Sequence, residues 1–551
     1  MFGADGPRGV YPDGERREAA EALRRVDRLV ADLYARYDAL LQHERRLFVP
    51  TREEFDALLD DVRAARQTAD RLQVGPGTPA SVVLENVRQV LDAFDARIRT
   101  DRDFPNRFVS QIARKLTGLL QLDPRSDAER AETVDALAAQ CGPVLSAVAD
   151  RAVELPDDRR EMVTRTMADL VMFLEQLGPG VLETALPSAP PAALSALGGR
   201  LRAAVETARG ATARVRGAPE PPRGRTDALD YSETLRRVYG IEIAELLKMH
   251  RFEVEQCHDH LRVVAARLDP SRDAFRILDE DIGPYDSADA MYEAMRRFVA
   301  LARERSRAYV TLPDGETCAV WRVPDYLSDS YPWGGYFSLG SPLAGRPVGA
   351  VFLNARNYRT VTRGWVQLNA IHECYPGHHA QFAKTAVGDM PLSFKVATLT
   401  SRAAPLSEGI AVRTETLMQD IFSEPAFPVF VAYRRLHTAL RIWVDLVLHH
   451  FGAPEREEAA VALYVEHMRL RPHVARGQVY SQQLTPGYFT TYYYGMKALE
   501  RIQARLGWDD RRFSEAIFSC GKVSLDILER LLALPEPARH ALLGSFATLS
   551  M

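Results

Sequence analysis

Residues 371 to 382 read Ile-His-Glu-Cys-Tyr-Pro-Gly-His-His-Ala-Gln-Phe, a run that holds the residue types needed to bind and use a divalent metal. A helix bearing His-Glu-x-x-His puts both imidazoles on one face, because each residue turns the chain by about 100°. The spacing here is different. Four residues after His372 comes Pro376, and the next histidines are His378 and His379. In an unbroken helix His378 would point nearly away from His372, while His379 would share its face but lie about 10 Å along the axis, too far to share one ion. Pro376 has no backbone N–H and Gly377 is conformationally permissive, so together they can break the register and return His378 to the side of His372. We take His372 and His378 as ligands, with His379 a rival that spacing alone does not remove. Glu373, adjacent to His372 and not itself a ligand, suits the general base that takes a proton from water and passes it to a leaving amine.

The segment His372-Glu373-x-x-Pro376-Gly377-His378 resembles the signature of a large bacterial family, domain of unknown function 885, which is grouped with zincin metallopeptidases and is similar to helical carboxypeptidases of the Taq type. Ser407-Glu408-Gly409-Ile410-Ala411-Val412-Arg413-Thr414-Glu415 resembles the Glu-Gly-Trp-Ala-Leu-Tyr-x-Glu segment of that family, with Ile410 and Arg413 in place of Trp and Tyr. Arg441 to His449 resembles its Arg-x-x-x-Asp-x-Gly-x-His helix, with Val447 at the Gly. Pro486-Gly487 followed by Tyr492 and Gly495 resembles a further segment, although Ser481-Gln482 replaces the Arg-Tyr pair found shortly before it. The departures fall where substrate would be met, and the ligand positions are intact.

The resemblance implies one Zn²⁺ per chain on His372, His378 and Glu408. Two neutral imidazoles and a carboxylate leave a fourth tetrahedral position for water, whose pKa zinc lowers toward about 7. Glu415 or Asp445 is expected to hold a ligand imidazole from behind. Tyr492 or His449 is expected to donate to the oxyanion of a tetrahedral intermediate; His449 could equally cap the helix that ends at Gly452. By analogy with the edge strand that precedes the zinc helix in zincins, a strand at Val348 to Asn354 is expected to pair with an extended peptide along Ala350, Val351 and Phe352. Arg356, Arg359, Arg402, Arg413 and Arg441 lie near these motifs in sequence, and one of them, with Arg441 among the assigned substrate residues, is expected to hold a substrate carboxylate.

The elements that must position these residues are mostly helices. From Gly14 to about Gly178, apolar residues such as Leu23, Val26, Leu29, Val30, Leu33 and Tyr37 recur at three- and four-residue steps. Residues 1–185 therefore read as a helical N-terminal region. Clustered Pro and Gly over 186–225 suggest a linker or surface connection, and 226–551 reads as the catalytic region. Within it, Tyr309 to Leu312 and Thr317 to Val323, separated by Pro313-Asp314-Gly315-Glu316, predict a hairpin, and Val348 to Asn354 a further strand. The fold class expected is mainly α, a zincin-like helical metallopeptidase with a small antiparallel or mixed sheet at about 306–356 beside the metal-binding helix. Tyr331-Pro332-Trp333-Gly334-Gly335-Tyr336-Phe337 reads as an aromatic turn, a substrate-facing loop or a packed lid.

Composition narrows the function classes. With 70 Lys and Arg against 74 Asp and Glu, no global positive field exists to hold a nucleic acid. No apolar run approaches the roughly 20 residues that cross a bilayer, and the first residues lack the pattern of a secretory signal. No membrane partner and a cytoplasmic location are therefore expected. Five scattered cysteines without Cys-x-x-Cys spacing fit reduced thiols, and Cys374 reads as a small buried helix residue. The activity expected is zinc-dependent hydrolysis of a peptide or other amide bond in a small substrate. A tailoring amidohydrolase of a biosynthetic pathway and a non-catalytic binding module on the same fold are the alternatives, and oligomeric state is not legible.

Overall fold

The computed structural model describes residues 13–37, 46–219, 229–324, 334–339, 342–343, 345–396, 401–452 and 455–544. The helices begin where local chemistry satisfies their first N–H groups. Thr51 and Thr78 accept from the N–H groups of Glu54 and Ser81, and Ser126 with Glu129 forms a reciprocal capping box. Behind such caps run the Arg52–Arg71, Pro79–Asp103 and Asp127–Ala152 helices, which with Asp13–Tyr37, Asn106–Thr117 and Asp157–Gln176 form a helical N-terminal region. Leu23, Val26, Val30, Leu33 and Tyr37 are buried as their spacing predicts, but Leu29, one step off the stripe, is exposed.

The Pro- and Gly-rich stretch at 186–225 corrects the expectation of a linker over most of its length. Pro191–Arg216 is a continuous helix whose Leu197, Leu201, Val205 and Ala208 are buried. Pro191 occupies the first helical position, where its missing N–H costs nothing, and Gly198 and Gly199 are tolerated because the apolar stripe packs against neighbouring helices. Pro221 and Pro222 lie outside the described residues.

The N-terminal helices are bonded to the C-terminal half. Asp27 accepts from the backbone N–H groups of Leu392 at 2.7 Å and Ser393 at 2.9 Å. The Asn86 amide donates to Ser393 Oγ at 3.0 Å, and Ser524 Oγ donates to Gln89 at 2.6 Å. One hydrophobic core extends from Leu23 to Leu542.

Among the described residues the fold is mainly helical with one small mixed sheet, ordered β1 (Thr317–Arg322), β3 (Val348–Leu353), β2 (Gly334–Ser338). β1 runs parallel to β3, with Thr317 opposite Val348, and β2 runs antiparallel to it, with Gly334 opposite Leu353. Two expectations are corrected. Tyr309 to Leu312 is not a strand and makes no hairpin, because the Tyr309 and Val310 N–H groups bond back to the Ser306 carbonyl at the end of the Ala288–Ser306 helix. β3 is the central strand, so both of its edges are occupied, and Ala350, Val351 and Phe352 have no free edge to offer an extended peptide. Of the aromatic stretch, Tyr336 and Phe337 lie in β2, and Tyr331, Pro332 and Trp333 lie outside the described residues.

Candidate metal centre

The helix that carries the first histidine ends where the sequence breaks it. Arg363–Asn369 passes into a π-helical turn, Ala370–Cys374, the Tyr375–Pro376 peptide is cis, and a new helix, His378–Val387, starts immediately after Gly377. Gly377 is required there, since a Cβ would sit 1.9 Å from the His372 carbonyl oxygen. The break brings the rings of His372 and His378 to 4.9 Å, nearly perpendicular.

The third member comes from the Ala404–Leu417 helix, which crosses the Thr490–Leu506 helix at a glycine contact. A Cβ on Gly495 would lie 1.8 Å from the Pro405 carbonyl oxygen, and one on Gly409 would lie 2.5 Å from the Gly495 carbonyl carbon. This close approach sets Glu408 beside Tyr488 and Tyr492. Glu408 Oε2 stands 3.4 Å from His378 Nε2 and 3.7 Å from His372 Nε2. The donor atoms of His372, His378 and Glu408 all lie within 4.8 Å of one another, and all three residues are buried.

These atoms fit a metal better than they fit one another. Glu408 Oε2 is buried without a hydrogen-bond partner, a costly condition for a carboxylate oxygen. A tetrahedral zinc site with bonds near 2.0–2.1 Å separates its ligand atoms by about 3.3 Å, close to the two separations found. Behind the cluster, His372 Nδ1 lies 2.7 Å from Glu415 Oε1, which as a carboxylate accepts from Nδ1–H and leaves Nε2 with its lone pair toward Glu408. Burial disfavours the His372 cation, but Glu408 and Glu415 override it and lift its pKa to about 10, so a metal bound at Nε2 would take the place of a proton there. Burial would likewise raise Glu408, yet the two histidines hold it well below the usual carboxylate range.

Several residues around the cluster were not singled out by sequence. The Tyr488 hydroxyl donates to Glu408 Oε1 at 2.6 Å, which leaves Oε2 as the oxygen facing the imidazoles. Its signal was its place directly after Pro486-Gly487, overshadowed by the run Tyr492-Tyr493-Tyr494. Glu316 was read only as a turn residue, yet it is buried and accepts from the Tyr375 hydroxyl at 2.5 Å and from Arg303 Nε at 2.6 Å, and its Oε2 lies 3.0 Å from His379 Nε2. His379 also meets the Tyr336 hydroxyl at 3.0 Å. It is thus engaged on both ring nitrogens, away from the cluster.

Of the remaining expected residues, Glu373 is the partly exposed one in a run where His372, Cys374 and Tyr375 are buried. The Tyr492 ring stacks on His372, 6.0 Å between centres and 8° from parallel, and its hydroxyl is 3.4 Å from that of Tyr488. Asp445 does not hold a ligand imidazole. Its carboxylate accepts from Tyr231 at 2.5 Å, Gln482 at 3.1 Å and the Gly487 N–H at 2.8 Å, because its helix turns it toward the loop carrying Tyr488. His449 stacks on Tyr231, with Nε2 3.3 Å from the Gln482 carbonyl, and so belongs to the Asp445 cluster rather than to an oxyanion site. Cys374 is fully buried, with its sulfur 3.7 Å from that of Cys318.

The model of the family described as "Bacterial protein of unknown function (DUF885)" matches residues 11–532. The chain belongs to the DUF885 family. No curated protein matches its sequence. Among solved structures, this DUF885 chain is similar to "the putative lipoprotein from Colwellia psychrerythraea", with a TM-score of 0.71 at 13% identity, covering 94% of this chain and 98% of that one. It is also similar to "a putative lipoprotein of unknown function from Shewanella oneidensis", with a TM-score of 0.65 at 15% identity, covering 94% and 99%. At those identities the likeness speaks for the fold. A third match, "a putative oligoendopeptidase F from Bacillus anthracis str. Ames", has a TM-score of only 0.33 at 13% identity over 92% and 97% of the two chains, and carries no argument.

The two lipoprotein matches correct the expectation of a cytoplasmic location. A lipoprotein is held at a membrane by its acyl chains and needs no spanning helix. That no helix among the described residues is long and apolar enough to cross a membrane is therefore compatible with membrane attachment, and the cytoplasmic location expected from the first residues does not hold.

Proposed function

We propose that this DUF885 protein is a zinc-dependent hydrolase that cleaves a peptide or other amide bond in a small substrate. The observation that carries the reading is the buried, unpartnered Glu408 Oε2, 3.4 and 3.7 Å from two imidazole nitrogens. In this reading His372, His378 and Glu408 hold the metal, which supplies a Lewis acid that polarises the scissile carbonyl and acidifies water.

The chain's own groups do the rest. Glu373, next to a ligand and partly open to solvent, takes the proton of the attacking water and returns it to the leaving nitrogen. Glu415 fixes the His372 ring and its tautomer at 2.7 Å. Tyr488 restricts Glu408 to one oxygen toward the metal. Burial pushes the Tyr492 phenol well above its ordinary pKa, so it stays protonated and can donate to a developing oxyanion. Proton donor and proton acceptor are thereby kept on separate residues.

The test is a pair of variants assayed for metal and for turnover of short peptides and acylated amino acids. His372→Ala should lose the metal and the activity together. Glu373→Gln should keep the metal and lose most activity. Full activity in Glu373→Gln would exclude the mechanism, and a non-catalytic binding module would then be the better reading.

A further inference from the structure

Five arginines near the motifs in sequence could meet a substrate, and the fold disposes of four. Arg413 is held by Asp510 at 2.7 Å, Ser514 and Gln503. Arg402 donates to the carbonyls of Arg236 and Arg237. Arg356 and Arg359 are exposed. Arg441 is different: it is 7% exposed, and its Nε and Nη1 are buried without a hydrogen-bond partner.

A buried guanidinium with two idle donors is expensive unless something accepts from them. Its surroundings offer aromatic faces, with Cζ 4.8 Å from the Phe489 ring centre and 4.9 Å from that of Tyr492, and the neutral Tyr464 hydroxyl as a hydrogen-bonding neighbour. Asp445, one turn along the same helix, spends its oxygens on Tyr231, Gln482 and Gly487. Arg434 lies on the other flank, 5.8 Å from the Tyr492 ring centre, with a buried Nε that also lacks a hydrogen-bond partner and reaches no nearer than 3.9 Å to Glu415. Two positive groups thus share one aromatic ring whose next neighbour is the ligand His372, stacked at 6.0 Å. The idle Arg441 donors call for an anionic acceptor, and a carboxylate is the group a guanidinium pairs with best.

We propose that Arg441, assisted by Arg434, is the subsite for a free carboxylate of the substrate, so that the enzyme acts on small amides or peptides carrying a carboxylate close to the scissile bond. This rests on the hydrolase reading for its chemistry, but the binding it describes does not need turnover. Phe489 and Tyr492 hold the guanidinium by their ring faces, 4.8 and 4.9 Å from Cζ, and leave Nε and Nη1 for the carboxylate. Uncharged isosteres, a carboxamide above all, leave the Arg441 guanidinium unneutralised and are discriminated against.

The experiment compares matched N-acetyl dipeptides with a free carboxylate or a carboxamide at the C-terminus, using the zinc-loaded full chain. Wild type should favour the carboxylate by about 10- to 100-fold in kcat/KM. In Arg441→Lys and Arg441→Gln that ratio should collapse toward one, through the carboxylate substrates alone and mainly in KM. Carboxamides turned over as well as carboxylates by wild type would overturn the subsite while leaving the hydrolase reading in place. If no dipeptide is cleaved, the hydrolase reading fails, and the subsite is judged by thermal shift with the same probes. Stabilisation by carboxylates only, lost in Arg441→Gln, would support it; no shift, or an equal shift with carboxamides, would overturn it.

Discussion

His378 and His379 are adjacent, both buried, and each faces a glutamate, yet they belong to opposite kinds of site. The His379 ring has Glu316 on one nitrogen and Tyr336 on the other, each at 3.0 Å. Glu316 is itself completed by Tyr375 and Arg303. Every strong donor and acceptor in that cluster is used. His378 faces Glu408 at 3.4 Å, with Glu408 Oε2 and His378 Nδ1 left without hydrogen-bond partners. A buried polar cluster that is closed holds the fold together; one that is open is waiting for a ligand.

Glu373→Gln on the open side should lower turnover by about 10²- to 10⁴-fold with metal content unchanged, read by steady-state kinetics alongside metal analysis. No equivalent loss should follow any change in the closed cluster that leaves the protein folded.

Stability should answer from the other side. Glu316→Gln removes the acceptor shared by His379, Tyr375 and Arg303, and should cost about 3 kcal/mol in denaturant unfolding while zinc stoichiometry is retained. The same carboxylate carries a pH dependence. Burial would raise its pKa, but His379, Tyr375 and Arg303 outweigh burial and hold it below its ordinary 4.5. Its stabilisation is therefore complete above pH 4.5 and is lost as pH falls through the lower, folded value. The stability gap between wild type and Glu316→Gln should narrow on acidification below pH 4.5, and a gap that widens there would reverse the sign.

The smallest effect is expected from Tyr488→Phe. It frees Glu408 Oε1 without touching a ligand and should weaken zinc by about tenfold in a competition titration with a chelator.

Much of the open site was legible because its signals are local. Pro376 and Gly377 announce a broken register that can return His378 to His372, although spacing alone left His379 a rival. Glu408 and Glu415 were carried by a motif of consecutive residues. What was not legible depends on long-range pairing. Glu316 lies in a turn, and nothing in the sequence says that β1 pairs with β3 rather than with Tyr309 to Leu312. The central place of β3, which removes the free edge expected at Ala350 to Phe352, comes from the same pairing. Pro- and Gly-rich spacing at 186–225 was misread because Pro191 can start a helix as readily as end one. Asp445 and His449 sit on a helix whose motif was visible, but which way that helix faces is set by packing against the Tyr231 and Gly487 segments.

The open cluster, and not its neighbour, is proposed to hold the metal. Zinc content per chain of purified wild type, His378→Ala and His379→Ala, measured by elemental analysis after dialysis against trace metal, tests it most directly. About one zinc is expected in wild type and in His379→Ala, the latter with a lowered melting temperature, and none in His378→Ala. Zinc retained by His378→Ala and lost from a folded His379→Ala would contradict the assignment.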